Sequence, residues 1–277
     1  MSKLYKKDKR LLYIKSFCAY IDILGFSEKI KQQDLKFFSK YLKMLDKELK
    51  YINQRHSSFH TKDKRFELKI FTDNFVFGHP WHDESGEVEL GIIFDVLSHI
   101  QLTFAKSNIF IRGAISVSNL YMDENIVLGP AIVESYELET KKAQYPRIIL
   151  SDDVVKIVKK HIKYYGNNKS APQNMEYLID IDGVYFINYL FILFFDTDYD
   201  DYSEDFIIKE LNLHKDSVIQ NLNQFKGNIK IFDKYSWVAN YHNYFCDNFV
   251  LPRLPLIDID KIKIDSNLYL KTITNIV

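Results

Sequence analysis

Cys18-Ala19-Tyr20-Ile21-Asp22-Ile23-Leu24-Gly25-Phe26-Ser27 is an apolar run interrupted by one carboxylate and then broken at a glycine. A run as short as Cys18 to Leu24 reads as a strand covered on both faces. An ionised Asp22 inside it is costly unless something positive meets it. A bound cation at the strand's exposed end is the simplest partner, because hard divalent ions favour carboxylate and backbone carbonyl oxygens. The plainer alternative is an Asp paired with a nearby lysine or making a local cap. For a solitary Asp that alternative would be the better one.

Outward from this strand, Leu35, Phe38, Leu42, Leu45, Leu49 and Ile52 recur at three and four residues, which predicts an amphipathic helix from about Asp34 to Asn53. A polar surface loop, Gln54 to Arg65, follows. Phe66 to Phe71 and Phe75 to Gly78 flank Thr72-Asp73-Asn74 and read as a β-hairpin, since Asp and Asn tolerate turn geometry. His79, Pro80, Trp81 and His82 begin a loop, and with no third ligand in view the two histidines are not a metal pair. Leu90, Ile93, Phe94, Leu97, Ile100 and Phe104 mark a second amphipathic helix. Phe110 to Val117 is a strand interrupted by Arg112-Gly113. Ile126 to Gly129 is a short strand, and Pro130 opens a helix that Lys141 and Lys142 close. Arg147 to Leu150 is a strand, and Asp152 caps a helix to about Lys163. Strands alternating with helices predict an α/β sandwich, its helices packed on a mixed sheet.

After a polar stretch from Gly166 to Asn174 the texture changes. Tyr177 to Phe195 reads as a strand pair turning at Asp182-Gly183. An acidic loop, Asp196 to Asp205, precedes two helices, Leu213 to Phe225 and Ile229 to Phe249. The second carries Tyr235, Trp237, Tyr241, Tyr244 and Phe245, an aromatic stripe of the kind found in cores and protein interfaces. The chain thus divides into a domain over residues 11–165 and a C-terminal extension over 175–277, packing on that domain or on a partner chain.

With 277 residues, 47% of them hydrophobic, the chain has enough apolar side chains for a substantial core. Lys+Arg 37 balance Asp+Glu 37, so no global field draws it to nucleic acid or a membrane. Cys18 and Cys246 stand far apart, without disulfide or metal-ligand spacing, which suits a reducing cytoplasm. Met1 to Arg10 is polar and lysine-rich, unlike a signal peptide. The longest apolar run, Val184 to Phe195, is too short to span a bilayer. A soluble, cytoplasmic protein is expected.

The chemistry centres on two acids. If the hairpin pairs beside the first strand, Asp22 and Asp73 meet at one edge of the sheet. Two carboxylates and a strand-end carbonyl suit one or two Mg²⁺ or Mn²⁺ ions, which neutralise triphosphate charge and activate an attacking hydroxyl.

Asp22-Ile23-Leu24-Gly25-Phe26-Ser27 resembles the Asp-Ile-Val-Gly-Phe-Thr strand of class III nucleotidyl cyclases. Lys69-Ile70-Phe71-Thr72-Asp73 resembles that family's Lys-Thr-Ile-Gly-Asp, with Lys and Asp at the same separation. Ile111-Arg112-Gly113-Ala114-Ile115-Ser116 is similar to its third conserved strand. Ile126-Val127-Leu128-Gly129-Pro130-Ala131, before a helix ending in Leu138-Glu139, is similar to its base-reading segment. The blocks run from about Phe17 to Leu150 in the family's order and spacing. The resemblance implies an α+β fold, a ferredoxin-like palm carrying the C-terminal strand pair and helices. It also implies a homodimer with active sites between two palms. The implied reaction is attack of a ribose 3′-hydroxyl on the α-phosphate of a nucleoside triphosphate, with pyrophosphate leaving. Asp22, Asp73 and the Ile23 carbonyl would hold two Mg²⁺ or Mn²⁺ ions. Lys69 would sit near the base, with Ile126 at the base-reading position and Phe26 and Arg112 lining the substrate.

The departures are specific. The family's transition-state asparagine falls on Val133, its arginine on Glu137, its base-reading Asp on Ile126, and its late phosphate-binding lysine near Asn188. Arg112, Lys141, Lys142 and Arg147 are left to supply positive charge, and for each a solvated or structural salt-bridge role is at least as good a reading. With Tyr145-Pro146-Arg147-Ile148 and the C-terminal extension, these departures are similar to a divergent bacterial subgroup. Its members make cUMP or cCMP in antiphage systems, and the product triggers a separate effector. Two other readings stand beside an active cyclase. One is a degenerate palm that binds a nucleotide or a protein partner without turnover. The other is a palm polymerase or dinucleotide cyclase, which usually sets two acids together at the hairpin tip, where here Asn74 follows Asp73.

Overall fold

Alternation along one strand fixes both layers of the molecule. In the computed structural model, which describes residues 4–7, 10–32, 35–55, 66–82, 85–166, 171–194 and 203–273, strand β3 runs Ile14–Ile23. Labels follow chain order, so β1 (Lys6–Lys7) and β2 (Arg10–Leu11) precede it as a separate two-stranded sheet. Phe17, Ala19, Ile21 and Ile23 enter the main core, whereas Cys18 and Tyr20 join a smaller cluster on the opposite face. Period-two alternation with both faces covered is the pattern of a central strand.

The remaining elements are α1 (Phe26–Lys31), α2 (Leu35–Arg55), β4 (Glu67–Phe71), β5 (Asn74–Pro80), α3 (Glu87–Lys106), β6 (Ile111–Met122), β7 (Val127–Leu128), α4 (Pro130–Lys142), β8 (Ile148–Leu150), α5 (Asp152–Tyr164), β9 (Tyr177–Ile179), β10 (Tyr185–Ile187), α6 (Glu204–Gln224), α7 (Ile229–Phe245) and α8 (Ile259–Ile262). The protein is mixed α+β, with an eight-stranded mixed sheet in the order β4-β5-β3-β6-β8-β10-β9 and β7 paired to β6. β6 and β8 pair in parallel, and the other pairs in this sheet are antiparallel. Most of the predicted loops at 54–65 and 196–205, and Asp34, lie outside the described residues.

Several boundaries differ from the sequence reading. Arg112-Gly113 does not interrupt a strand, for β6 runs unbroken through both. Glycine is required there by close approach, since a Cβ on Gly113 would lie 2.5 Å from Ile21 Cδ1 and 2.6 Å from the Tyr20 carbonyl oxygen. His79 and Pro80 belong to β5, because β3 begins early enough to pair them with Phe17 and Ser16. The apolar run after Asp182-Gly183 is a strand only to Ile187, and Tyr189–Phe194 form a buried 3-10 helix. Asn188 holds the junction, donating to the Met175 carbonyl and accepting from Tyr241. α6 begins at Glu204, well before Leu213, with the Ser203 side chain accepting from the Phe206 amide as its cap.

The C-terminal segment is built into the same sheet and core. Phe186 of β10 pairs with Ile149 of β8, and α6 lies along α3, where the Ser217 hydroxyl donates to the Ala105 carbonyl. α3 is long and apolar enough to cross a membrane, yet 72% of that span is buried inside this protein. Both cysteines are buried, and burial pushes each thiol up to about 12, which leaves them inert.

Between α6 and α7, Tyr189, His214 and His242 form one buried chain. The Tyr189 hydroxyl meets His214 Nε2 at 2.7 Å, His214 Nδ1 meets His242 Nδ1 at 3.0 Å, and His242 Nε2 reaches the Ile262 carbonyl at 3.1 Å. The carbonyl can only accept, so His242 carries its proton on Nε2 and accepts at Nδ1 from His214, and every donor finds an acceptor only while both rings are neutral. Burial lowers both pKa values, that of His242 to about 4 from an ordinary 6.5. The unfolded chain therefore takes up protons that the folded pair refuses. Stability is full above pH 6.5 and is lost as pH falls toward 4, by about 2 kcal/mol at pH 5 from His242 alone. Urea midpoints at pH 7.5 and 5.0 measure this, and a His214→Gln/His242→Gln double variant should flatten the difference.

Candidate functional site

Register brings the predicted acids together. Asp22, near the end of β3, stands opposite Asn74 of β5 on one side and Arg112 of β6 on the other. One residue on, the Ile23 amide donates to the Asp73 carbonyl at 3.0 Å. Asp22, the hairpin turn and Arg112 thus share one end of the sheet. Gly25 then turns the chain away at φ 72°, and Thr72 in the hairpin turn also takes a positive φ, 55°. A β-branched residue in that region is strained.

The polar groups are firmly set. Asp73 Oδ1 accepts from the Thr72 hydroxyl (2.7 Å) and the Asn74 amide (3.0 Å), while the Tyr20 hydroxyl donates to Asn74 Oδ1. Arg112 Nε donates to Asp22 Oδ2 at 3.1 Å and lies 2.8 Å from Glu139 Oε1. Its proton is aimed at Asp22, so the Glu139 contact is ionic and lacks hydrogen-bond alignment. Burial pushes the Asp22 carboxyl above the usual range, Arg112 opposes that shift, and Asp73 reinforces it. Glu139 is likewise raised, first by burial. Asp22 Oδ1 and Asp73 Oδ2 take no hydrogen bond from the described residues. The positive partner of Asp22 is therefore an arginine across the strand, where the sequence suggested a cation or a lysine.

Lys69 lies on β4, and its pairing with Val76, which in turn pairs with Tyr20, puts it on the same sheet face as Asp22. Its pKa is lowered chiefly by desolvation, against the attraction of Asp123 and Glu67. Asp123 escaped the sequence reading. Its Oδ1 accepts the amides of Asn125 and Ile126, and its Oδ2 accepts the Tyr121 hydroxyl at 2.6 Å. The signal was present in Asp-x-Asn just beyond a strand, the composition of an Asx-turn. Ile126, Leu128, Val133 and Tyr136 are each about half exposed around α4.

Other predicted site residues stand apart. Phe26 is buried against Phe37, Phe38 and Tyr41, because the turn at Gly25 swings its ring onto α2 and away from Asp22. Arg147 is buried in ion pairs with Asp180 and Asp182, and Tyr145 stacks on Trp237. Glu137 pairs with Lys141 at 2.8 Å on the exposed side of α4. Lys142 lines a separate groove with Asp152 and Asp182, and Asn188 is buried in the C-terminal core. One cation came unannounced. Lys234 of α7 is half-buried and feels Asp22, Glu139, Arg112 and Lys230.

Among the described residues no group of three or more His, Cys, Asp or Glu side chains is placed to hold a metal. The donors at the β3 end are two carboxylates, each with one uncommitted oxygen, beside the Ile23 carbonyl. These hard oxygens fit Mg²⁺ or Mn²⁺. No family model matches this chain, and no curated protein is significantly similar to it.

Proposed function

We propose that the protein is a metal-dependent nucleotidyl cyclase, converting a nucleoside triphosphate, UTP or CTP, to a 3′,5′-cyclic nucleotide and pyrophosphate. The observation that carries this reading is the meeting of Asp22 and Asp73 at one sheet end, with Lys69 on the same face. The connectivity supports it. From β3 to β6 the order strand, helices, two strands, helix, strand, with antiparallel neighbours β4-β5-β3-β6, is that expected of a ferredoxin-like palm. The positive φ at Thr72 also supports it, for the cyclase motif has glycine there.

In this reading Asp22 and Asp73, with the Ile23 carbonyl, hold two Mg²⁺ or Mn²⁺ ions. Bound there, the ions supply charge neutralisation to the phosphates and acidify the attacking hydroxyl. With Asp22 committed to metal, Arg112 would still have Glu139 as its partner. Lys69 reads a carbonyl oxygen of the base. The exposed Ile126, Leu128, Val133 and Tyr136 meet a second chain in a two-fold dimer. The enzyme acts in the cytoplasm and signals, in antiphage defence, through an effector that senses its product.

The pyrimidine preference rests on Asp123. With Glu67 it is one of two carboxylates that Lys69 feels, and it already accepts three protein hydrogen bonds, so it offers little to the amino group of adenine, a cost that uracil, which has no amino group, avoids. A buried donor left unpaired costs about 1–3 kcal/mol, roughly tenfold to hundredfold in selectivity. The contact between Arg112 and Asp22 favours one alternative, a palm that binds nucleotide without turnover. Equal concentrations of ATP, GTP, CTP and UTP with Mn²⁺, analysed by mass spectrometry, are expected to give cUMP or cCMP as the main product. Dominant cAMP or cGMP would overturn the base assignment. No cyclic product from any of the four, with binding retained, would favour the non-catalytic palm.

A further inference from the structure

The end of β3 borders a cavity of about 360 Å³ that separates the Leu24–Gly25 corner from α6 and α7. Phe110, Phe225, Ile231 and Tyr235 form much of its wall, and Lys234 is the one lysine or arginine among the described residues that line it. The Lys234 ammonium makes no hydrogen bond and no ion pair with the described residues, although it is half-buried. Its charge is nonetheless coupled to the site, attracted by Asp22 and Glu139 and repelled by Arg112 and Lys230. Asp22 and Glu139 are already met at contact distance by Arg112. Lys234 therefore adds a second positive charge beside the two acids, one that no carboxylate of the described residues meets at contact distance. A partly desolvated ammonium with three unmet donors is the group that an anion would satisfy.

Of the other candidate cations, Lys142 lies in a separate groove and the remaining three are occupied. Arg147 is locked to Asp180 and Asp182, Lys141 to Glu137, and Arg112 lies between two carboxylates. The C-terminal segment, which the cyclase resemblance does not cover, delivers the uncommitted charge. We propose that Lys234 is a substrate-binding residue that takes the phosphate chain of the nucleoside triphosphate at the end of β3. This rests on the cyclase reading above, and it gives α7 a direct role in the site.

The test compares wild type, Lys234→Met, Lys234→Gln and Lys234→Arg in the full chain. It measures KM and kcat for the preferred triphosphate, and affinity for inorganic tripolyphosphate with Mg²⁺ by thermal shift. Loss of one charge-assisted contact should raise KM and weaken tripolyphosphate binding by roughly tenfold to hundredfold. The melt of the free variants should not fall, and Lys234→Arg should recover most of the loss. Should Lys234→Met fold poorly, Lys234→Gln carries the same comparison. A folded neutral variant with wild-type KM and tripolyphosphate affinity overturns this assignment, while its cyclic product would leave the cyclase reading intact. Tripolyphosphate binding that depends on Lys234, in a protein that forms no cyclic nucleotide, keeps the phosphate site and removes the cyclase. A wild-type protein that neither binds nor turns over overturns both.

Discussion

Asp22→Asn and Asp73→Asn are each expected to abolish cyclic-nucleotide formation, with losses of roughly a thousandfold or more, while the thermal melt stays nearly unchanged. The size follows from the several kcal/mol that a correctly held metal contributes to a phosphoryl transition state. The second half of the expectation follows from this structure. Burial and Asp73 disfavour the charged form of Asp22, so a neutral amide of the same shape relieves as much as it removes. Arg112, losing one partner, still has Glu139 at 2.8 Å. At Asp73 the amide oxygen can go on accepting from Thr72 and Asn74. A readout independent of turnover accompanies the assay. Mn²⁺ at a hundredfold excess over its Kd should stabilise the wild type by about 2.7 kcal/mol, and neither variant should show that gain. Turnover or Mn²⁺ stabilisation surviving in either variant would remove the two-carboxylate metal site.

What could be read from the chain follows from what is local. β3 and the β4–β5 hairpin were legible because alternation, β-branched and aromatic residues and a polar turn all act within a few positions of one another. The approach of Asp22 to Asp73 followed once those strands were taken as neighbours. Arg112-Gly113 was misread because glycine usually punctuates a strand, whereas Gly113 lets β6 come close to Tyr20 and Ile21. The run after Val184 was misread because a short apolar stretch looks alike as strand or 3-10 helix, and it is packing beside α3 that decides. Lys234 was invisible. Nothing in a helix after residue 229 announces that its second turn will face a carboxylate on the third strand. Arg112 could be named as a cation, but its partners could not, since Glu139 comes from the far end of a different element.

Arg147→Met is expected to destabilise the fold by about 3–5 kcal/mol, the usual cost of removing one partner from a buried ion pair. Arg147 is 1% exposed and its guanidinium is shared by Asp180 and Asp182, while Tyr145, Phe186 and Trp237 present their rings within 6 Å of it. It joins the approach to β8 to the β9–β10 turn, and Trp237 Nε1 of α7 donates to the same Asp180 oxygen at 2.6 Å. Without the guanidinium, Asp180 keeps the Trp237 and Ile181 donors and loses the charge that chiefly opposes its burial. Its pKa, already raised, must rise further. The sign follows: a carboxyl raised in the folded state costs stability as pH climbs from the unfolded value toward the folded one. The deficit of Arg147→Met, measured at pH 5 and at pH 8, should therefore be larger at the higher pH. Asp180→Asn in the same background neutralises the orphaned charge and should recover part of the loss, mostly at the higher pH. Urea denaturation of the three proteins at both pH values measures each term. An Arg147→Met protein within 1 kcal/mol of wild type at pH 8 would mean that the aromatic cage and the sheet pairing, and not the ion pair, hold the C-terminal helices against the rest of the fold.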